Sequence, residues 1–262
     1  MLKFQPLSHG TITMSHTPAL HDIHTLADTC PYDFQNAALM ADGDGFLGTG
    51  ADLSVATLLH AYRSGVFPWF DADDPICWWS PSVRCVLVPD EFHPSKSLVR
   101  TAKKQPWTLT TNLAFDTVID ACSQPRHYTS ETWIHDEMKL AYGELHRLGV
   151  AVSVEIWAGA PMIGEMIGGL YGVNIGAIFC GESMFHRQTD ASKVAFWGLM
   201  RLCQQSGIAL VDCQLENPHL MSLGATLMPR SEFLQTLKTL VHHDVAGLGG
   251  QRIQLNVSEL LT

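Results

Sequence analysis

From Arg84 onward, apolar runs of strand length alternate with amphipathic stretches. This alternation constrains the fold more than any other feature of the chain. "RCVLVP" (84–89) reads as a strand, "SKSLVRTAKK" (95–104) as a short basic helix, "WTLTTN" (107–112) as a strand and "AFDTVIDAC" (114–122) as a helix. "HDEMKLAYGELHRLG" (135–149) and "DASKVAFWGLMRLCQQSG" (190–207) are longer helices, each closed by a glycine. "VAVSVEIW" (150–157), "MIGGLYGV" (166–173) and "GAIFCGESMF" (176–185) are strands, the last two antiparallel neighbours. The apolar run Ile208–Val211 is a further strand, followed by a short helix from Asn217 and a last helix at 231–243. The expected class is α+β: a small N-terminal domain (1–82), then a mixed sheet flanked by helices (83–262).

The N-terminal part carries weaker patterning. Residues 1–30 show little periodicity and are expected to be extended or loosely ordered. "DGDGFLGTGADL" (42–53) is a glycine-rich turn region whose spacing fits no phosphate-binding loop. "SVATLLHAYRSG" (54–65) reads as a helix that Ser54 can cap and Gly65 can end. "VFPWFDADDPICWWSP" (66–81) concentrates aromatic residues between prolines, which exclude a regular helix or a central strand. Its tryptophans are either core plugs or a binding wall.

Hydrophobic residues make up 46% of the chain and charged residues 16%, which favours a substantial core over disorder. No apolar run approaches the ~18–20 residues of a membrane span, and the start lacks a secretory pattern. Seven cysteines without a CxxC read as reduced thiols, so a cytoplasmic location without membrane partners is expected. Thirteen histidines without an HExxH motif point to structural or solvent roles and to no metal site. The net charge of −10 argues against a generic nucleic-acid binder. Residues 84–104, however, hold Arg84, Lys96, Arg100, Lys103 and Lys104 against two acids, Asp90 and Glu91. That stretch is either a solvated helix face or a phosphate-binding patch.

Chemistry concentrates in two short segments. Asp212 and Gln214 end the 208–211 strand and, by strand alternation, share a face while Cys213 points away. An aspartate that accepts a hydrogen bond from the Gln amide nitrogen would leave the Gln oxygen as an outward acceptor for an amine. A polar strand end satisfied by nearby loops is the alternative. In "IFCGESMFHR" (178–187), Glu182 follows Gly181 and lies among Phe179, Met184 and Phe185, which suits a cationic substrate beside an apolar group. No GxSxG occurs, and Cys180 and Cys213 lie in apolar strands where thiols are inert.

Taken together, "GADLSVATLLHAYRSGVFPWF" (50–70), "ICWWSPSVRCVL" (76–87), "TWI" (132–134), "SVEIW" (153–157), "GGLYGV" (168–173), "FCGESMF" (179–185), "DASK" (190–193) and "DCQLENPHLMSLGA" (212–225) resemble the leucyl/phenylalanyl-tRNA–protein transferase family. The resemblance covers roughly residues 31–240. It departs from the family at Ala51, at Val152 and in a short insertion around 159–166 that lengthens a hairpin.

The resemblance implies an acetyltransferase-like (GNAT) catalytic domain and an aminoacyltransferase. The family moves leucine or phenylalanine, and with a relaxed pocket methionine, from aminoacyl-tRNA to an N-terminal Arg or Lys, marking proteins for N-end-rule degradation. No cofactor is implied. By resemblance, Asp212 orients Gln214, Gln214 accepts from the attacking amine, and Glu182 helps place the substrate, with Asn217 as a further polar support. The amino-acid pocket would be lined by Leu170, Phe179, Met184, Phe196 and Val211. Trp69 and Trp133, with Tyr62 nearby, would stack on the terminal adenine or close the pocket. Arg84, Lys96, Arg100, Lys103 and Lys104 would hold acceptor-stem phosphates. Competing readings are an acyltransferase with another donor or acceptor, a non-catalytic aminoacyl-tRNA-binding protein, and a cysteine hydrolase.

Overall fold

The computed structural model describes residues 2–4, 23–125 and 132–261. Two sheets organise them. A four-stranded sheet has the order β1-β2-β4-β3, from β1 (Leu2–Phe4), β2 (Phe46–Gly50), β3 (Phe67–Pro68) and β4 (Cys77–Trp79). Helices α1 (Ile23–Ala27), α2 (Phe34–Met40) and α3 (Val55–Arg63) complete this part. Of the segment expected to be extended or loosely ordered, Leu2–Phe4 is a strand and Ile23–Ala27 a helix, while 5–22 lies outside the described residues.

Two readings of this region need correction. The glycine-rich 42–53 stretch supplies β2, and the aromatic, proline-rich 66–81 stretch supplies β3 and β4. Pro68 is tolerated because β3 is the sheet's edge. The aromatics divide between core and surface. Trp78 is fully buried and its indole donates to the Gly50 carbonyl at 2.8 Å, whereas Trp69 is 43% exposed. Helix α3 forms as its pattern predicts, with the Ser54 hydroxyl capping the Thr57 N–H and Leu58, Leu59 and Tyr62 turned inward.

The eight-stranded sheet has the order β11-β5-β10-β9-β8-β7-β6-β12. Its strands are β5 (Val83–Leu87), β6 (Trp107–Thr111), β7 (Ala151–Ala158), β8 (Glu165–Ile175), β9 (Ile178–His186), β10 (Leu210–Gln214), β11 (Thr226–Pro229) and β12 (Gln254–Asn256). Helices α4 (Lys96–Lys104), α5 (Phe115–Cys122), α6 (Asp136–Arg147), α7 (Ala191–Ser206), α8 (Pro218–Ser222) and α9 (Arg230–Leu240) complete it. β9 and β10 are parallel while the other pairs are antiparallel, so β9 and β10 require a crossover. Helix α7 is that crossover. It ends where Gly207 takes a left-handed φ of 79°, which lets the chain re-enter the sheet.

Strand alternation divides the core. One face gathers Leu87, Val154, Phe179 and Val211 under α7; the other gathers Val86, Tyr171, Cys180 and Leu210. The second face continues without interruption into Leu58, Tyr62, Phe67 and Trp78 of the N-terminal part. The expected boundary at 82/83 therefore falls between the two sheets but not between two cores.

Candidate active site

The parallel pair β9–β10 carries two irregularities side by side. The β8–β9 register slips between Gly181 and Ser183, leaving Glu182 as an extra residue, and the β10–β5 register slips between Asp212 and Gln214. Such bulges turn side chains away from the regular alternation. Gln214 pays for its position with a left-handed φ of 59°, an uncommon conformation for a residue with a side chain.

Asp212 lies at the floor of this arrangement. It is fully buried, and Arg84 from the neighbouring strand grips it bidentately, Nε to Oδ1 at 3.0 Å and Nη2 to Oδ2 at 2.7 Å. The remaining guanidinium nitrogen donates to the Gly65 carbonyl at 2.9 Å. Phe233 and Phe67 cover the group with centroids 4.4 and 5.0 Å away. Arg84, only 1% exposed, is therefore not part of a phosphate-binding surface. A buried carboxylate without a partner would be prohibitively costly, and Arg84 is that partner.

The expected side-chain pairing of Asp212 with Gln214 is replaced by another. Asp212 Oδ1 accepts from the Gln214 backbone N–H at 2.9 Å and so fixes the bulge. The Gln214 amide nitrogen donates instead to Glu182 Oε1 at 3.1 Å. Its carbonyl oxygen is the end turned away from that carboxyl, and it is an acceptor. The Tyr62 hydroxyl at 2.7 Å and the Tyr142 hydroxyl of α6 at 3.0 Å also contact the Glu182 carboxyl and each other, so that two phenolic protons are shared among three contacts. Burial pushes Glu182 up to about 7; its tyrosine partners oppose the shift and the nearby Asp212 charge adds to it. Burial first, then the Glu182 charge, raises both tyrosines, which keeps them protonated donors.

The other candidates fall into place around this cluster or outside it. Tyr62 is buried against Glu182 and offers no stacking face. Asn217 is exposed and caps α8, its Oδ1 accepting from the Leu220 N–H at 2.9 Å, so it is no member of the Glu182–Gln214 constellation. Leu170, Phe179, Phe196 and Val211 do meet, but as filled core under α7, with half-buried Met184 packed against them. They do not line an open pocket. A cleft of about 420 Å³ lies elsewhere, between Ala51–Leu53, Ile76 and the outer face of α6. Trp69 stands exposed, 5.8 Å from Trp79, and Trp133 is half-buried. Lys96, Arg100, Lys103 and Lys104 line the exposed side of α4, which buries Leu98 and Ala102.

Tyr142 escaped sequence reasoning. The available signal was a tyrosine on the apolar face of a helix, whose hydroxyl needs a partner when buried. The two cysteines singled out for a hydrolase are raised, not activated: burial lifts Cys180 well above the usual thiol range, and Cys213 is raised first by its contact with Cys85 and then by burial. Neither is therefore a ready thiolate for a cysteine hydrolase. Among the described residues no three His, Cys, Asp or Glu side chains are grouped as metal ligands, and no helix is long and apolar enough to cross a membrane.

A mixed sheet with a carboxyl-held carboxamide on its parallel strand pair makes this cluster the candidate for a group-transfer site. Comparison with known proteins sharpens the class. Residues 86–238 match the family described as leucyl/phenylalanyl-tRNA protein transferase, and residues 51–82 match the N-terminal domain of the same family. The transferase so named from Psychrobacter arcticus is 54% identical over 215 residues, covering 80% of this chain and 79% of its own. That from Pseudoalteromonas atlantica is 51% identical over 207 residues, covering 79% and 87%. The chain belongs to the leucyl/phenylalanyl-tRNA–protein transferase family. Among solved structures it is similar to FemX, with a TM-score of 0.45 at 10% identity over 66% of each chain.

Proposed function

We propose that this protein transfers leucine or phenylalanine from aminoacyl-tRNA to the α-amine of proteins beginning with Arg or Lys. The observation that carries the reading is the Gln214 carboxamide, whose nitrogen is held by Glu182, which makes its oxygen the end that accepts. The ester that joins an amino acid to tRNA is already activated, so the enzyme's main contribution is alignment. The acceptor amine donates a hydrogen bond to Gln214 Oε1 and attacks the ester carbonyl. A C–N bond forms, the ester C–O bond breaks, and the ribose oxygen leaves with the proton the amine releases. Asp212 and Arg84 act beneath the reaction by fixing the Gln214 backbone.

The exposed Lys96, Arg100, Lys103 and Lys104 hold acceptor-stem phosphates, and Trp69 with Trp133 takes the terminal adenine. The leucine or phenylalanine side chain reaches the Leu170–Phe179–Phe196–Val211 layer by displacing Met184, the most adaptable of its lining residues. One methylene in such a site is worth only ~1–3 kcal/mol, so methionine is tolerated too. The products are marked for N-end-rule degradation in the cytoplasm, and the chain's acetyltransferase-like domain needs no cofactor.

The test supplies labelled Leu-tRNA, Phe-tRNA or an acyl-coenzyme A with peptides that begin with Arg, Lys or Ala. Transfer from the two tRNAs to the Arg and Lys peptides alone is the expected result. Transfer from coenzyme A, or equal use of the Ala peptide, contradicts the proposal.

A further inference from the structure

A second group of basic side chains lies on β9, α7 and α8, and α7 packs beside the basic helix. His186 closes β9 and Arg187 follows it, Lys193 lies in the first turn of α7, and His219 lies in α8 just past Gln214. These elements converge at one end of the sheet. Gly168, the β8 residue paired with His186, has no room for a side chain because its Cβ would lie 2.6 Å from that of Ala191 at the start of α7. Helix α8 packs on the same face through Leu220, and Leu223 just past its end joins it. These basic groups sense one another: His219 is held below its usual range by burial first, then by Lys193 and His186, which favours its neutral form until an anion offsets the positive charge.

This group is joined to α4. Asp190, the residue before α7, accepts from the Thr101 hydroxyl of α4 at 2.8 Å and lies 4.0 Å from the Lys193 ammonium. Asp190 thus spans the two helices and offsets only part of the positive charge. Lys193 retains 40% of its side-chain exposure, at the limit of ion-pair distance. Arg187, in contrast, is committed to the Met166 carbonyl at 2.8 Å and to the Phe185 ring. Neighbouring like charges disfavour one another, and a bound anion removes that cost.

We propose that Lys193, flanked by His186 and His219, binds a phosphodiester in the single-stranded 3′ end of the aminoacyl-tRNA, continuing the α4 track to Gln214. The proposal rests on the aminoacyl-tRNA donor reading above. A lysine suits this task because it is a mobile point charge that contacts phosphate without reading sequence.

The test measures KM for Leu-tRNA across a salt series in wild type, Lys193→Gln and Lys193→Arg. Lys193→Gln is expected to raise KM roughly tenfold, to make its logarithmic salt dependence shallower by about one, and to leave kcat within about twofold. Lys193→Arg restores KM. An unchanged KM, or a raised KM with an unchanged salt slope, overturns the proposal, the latter because a packing defect does not change the count of released counterions. A wild-type protein without transfer from Leu-tRNA overturns the donor reading itself, and this proposal with it.

Discussion

At the scale of single residues, two carboxyl groups near one another have different partners. Asp212 is buried with a cation, and Glu182 is half-buried against hydroxyls and an amide. Arg84→Met leaves Asp212 as an uncompensated buried charge and is expected to lose about 3–5 kcal/mol in urea unfolding. A loss under about 1 kcal/mol, or a change in the salt dependence of tRNA use, contradicts the buried role. Glu182 titrates near 7 when folded, against 4.5 for the free group. Its folded value is raised, so its contribution to stability is complete below pH 4.5 and is lost as pH rises through about 7. Glu182→Gln should flatten the stability profile across that window and be the more stable protein at pH 8, by about 1–3 kcal/mol. Parallel profiles for variant and wild type refute this. The sequence made Asp212 and Gln214 legible as polar residues at a strand end and Glu182 as a carboxylate within an apolar strand. It did not reveal which carboxyl meets the carboxamide, because regular alternation carries no sign of a bulge. It also placed Arg84 with the surface cations, since sequence proximity to Lys96 and Arg100 says nothing about which way a strand residue faces.

At the scale of elements, caps and amphipathic stripes announce helices well, and α3, α4, α6 and α7 lie where those signals put them. The short strands β2, β3 and β4 were illegible because they are built from glycine, proline and tryptophan, and pairing with one another rather than local propensity makes them strands. Helix α4 shows an element serving function through one face. It anchors itself by Leu98 and Ala102 and leaves four cations in solvent. Replacing Lys103 and Lys104 together by alanine should raise KM for aminoacyl-tRNA and reduce the logarithmic salt slope by roughly one to two, with kcat nearly unchanged. An unchanged slope leaves α4 as an ordinary solvated helix.

At the scale of the molecule, the site is a joint product of both sheets. The N-terminal part contributes the Tyr62 hydroxyl to Glu182, the Gly65 carbonyl to Arg84 and the Phe67 ring above it. Residues 83–262 expressed alone would uncover an apolar face and strip these contacts, so that fragment is expected to lack a cooperative melting transition. A fragment that melts cooperatively would show that the shared core is dispensable. The central claim is that Gln214 aligns the acceptor amine, and single-turnover transfer from Leu-tRNA to an Arg-initiated peptide tests it most directly. With Gln214→Ala, the rate at saturating substrates should fall by about 10²-fold or more while the affinity for Leu-tRNA stays within about threefold. An unchanged rate, or a loss confined to tRNA affinity, would contradict the account.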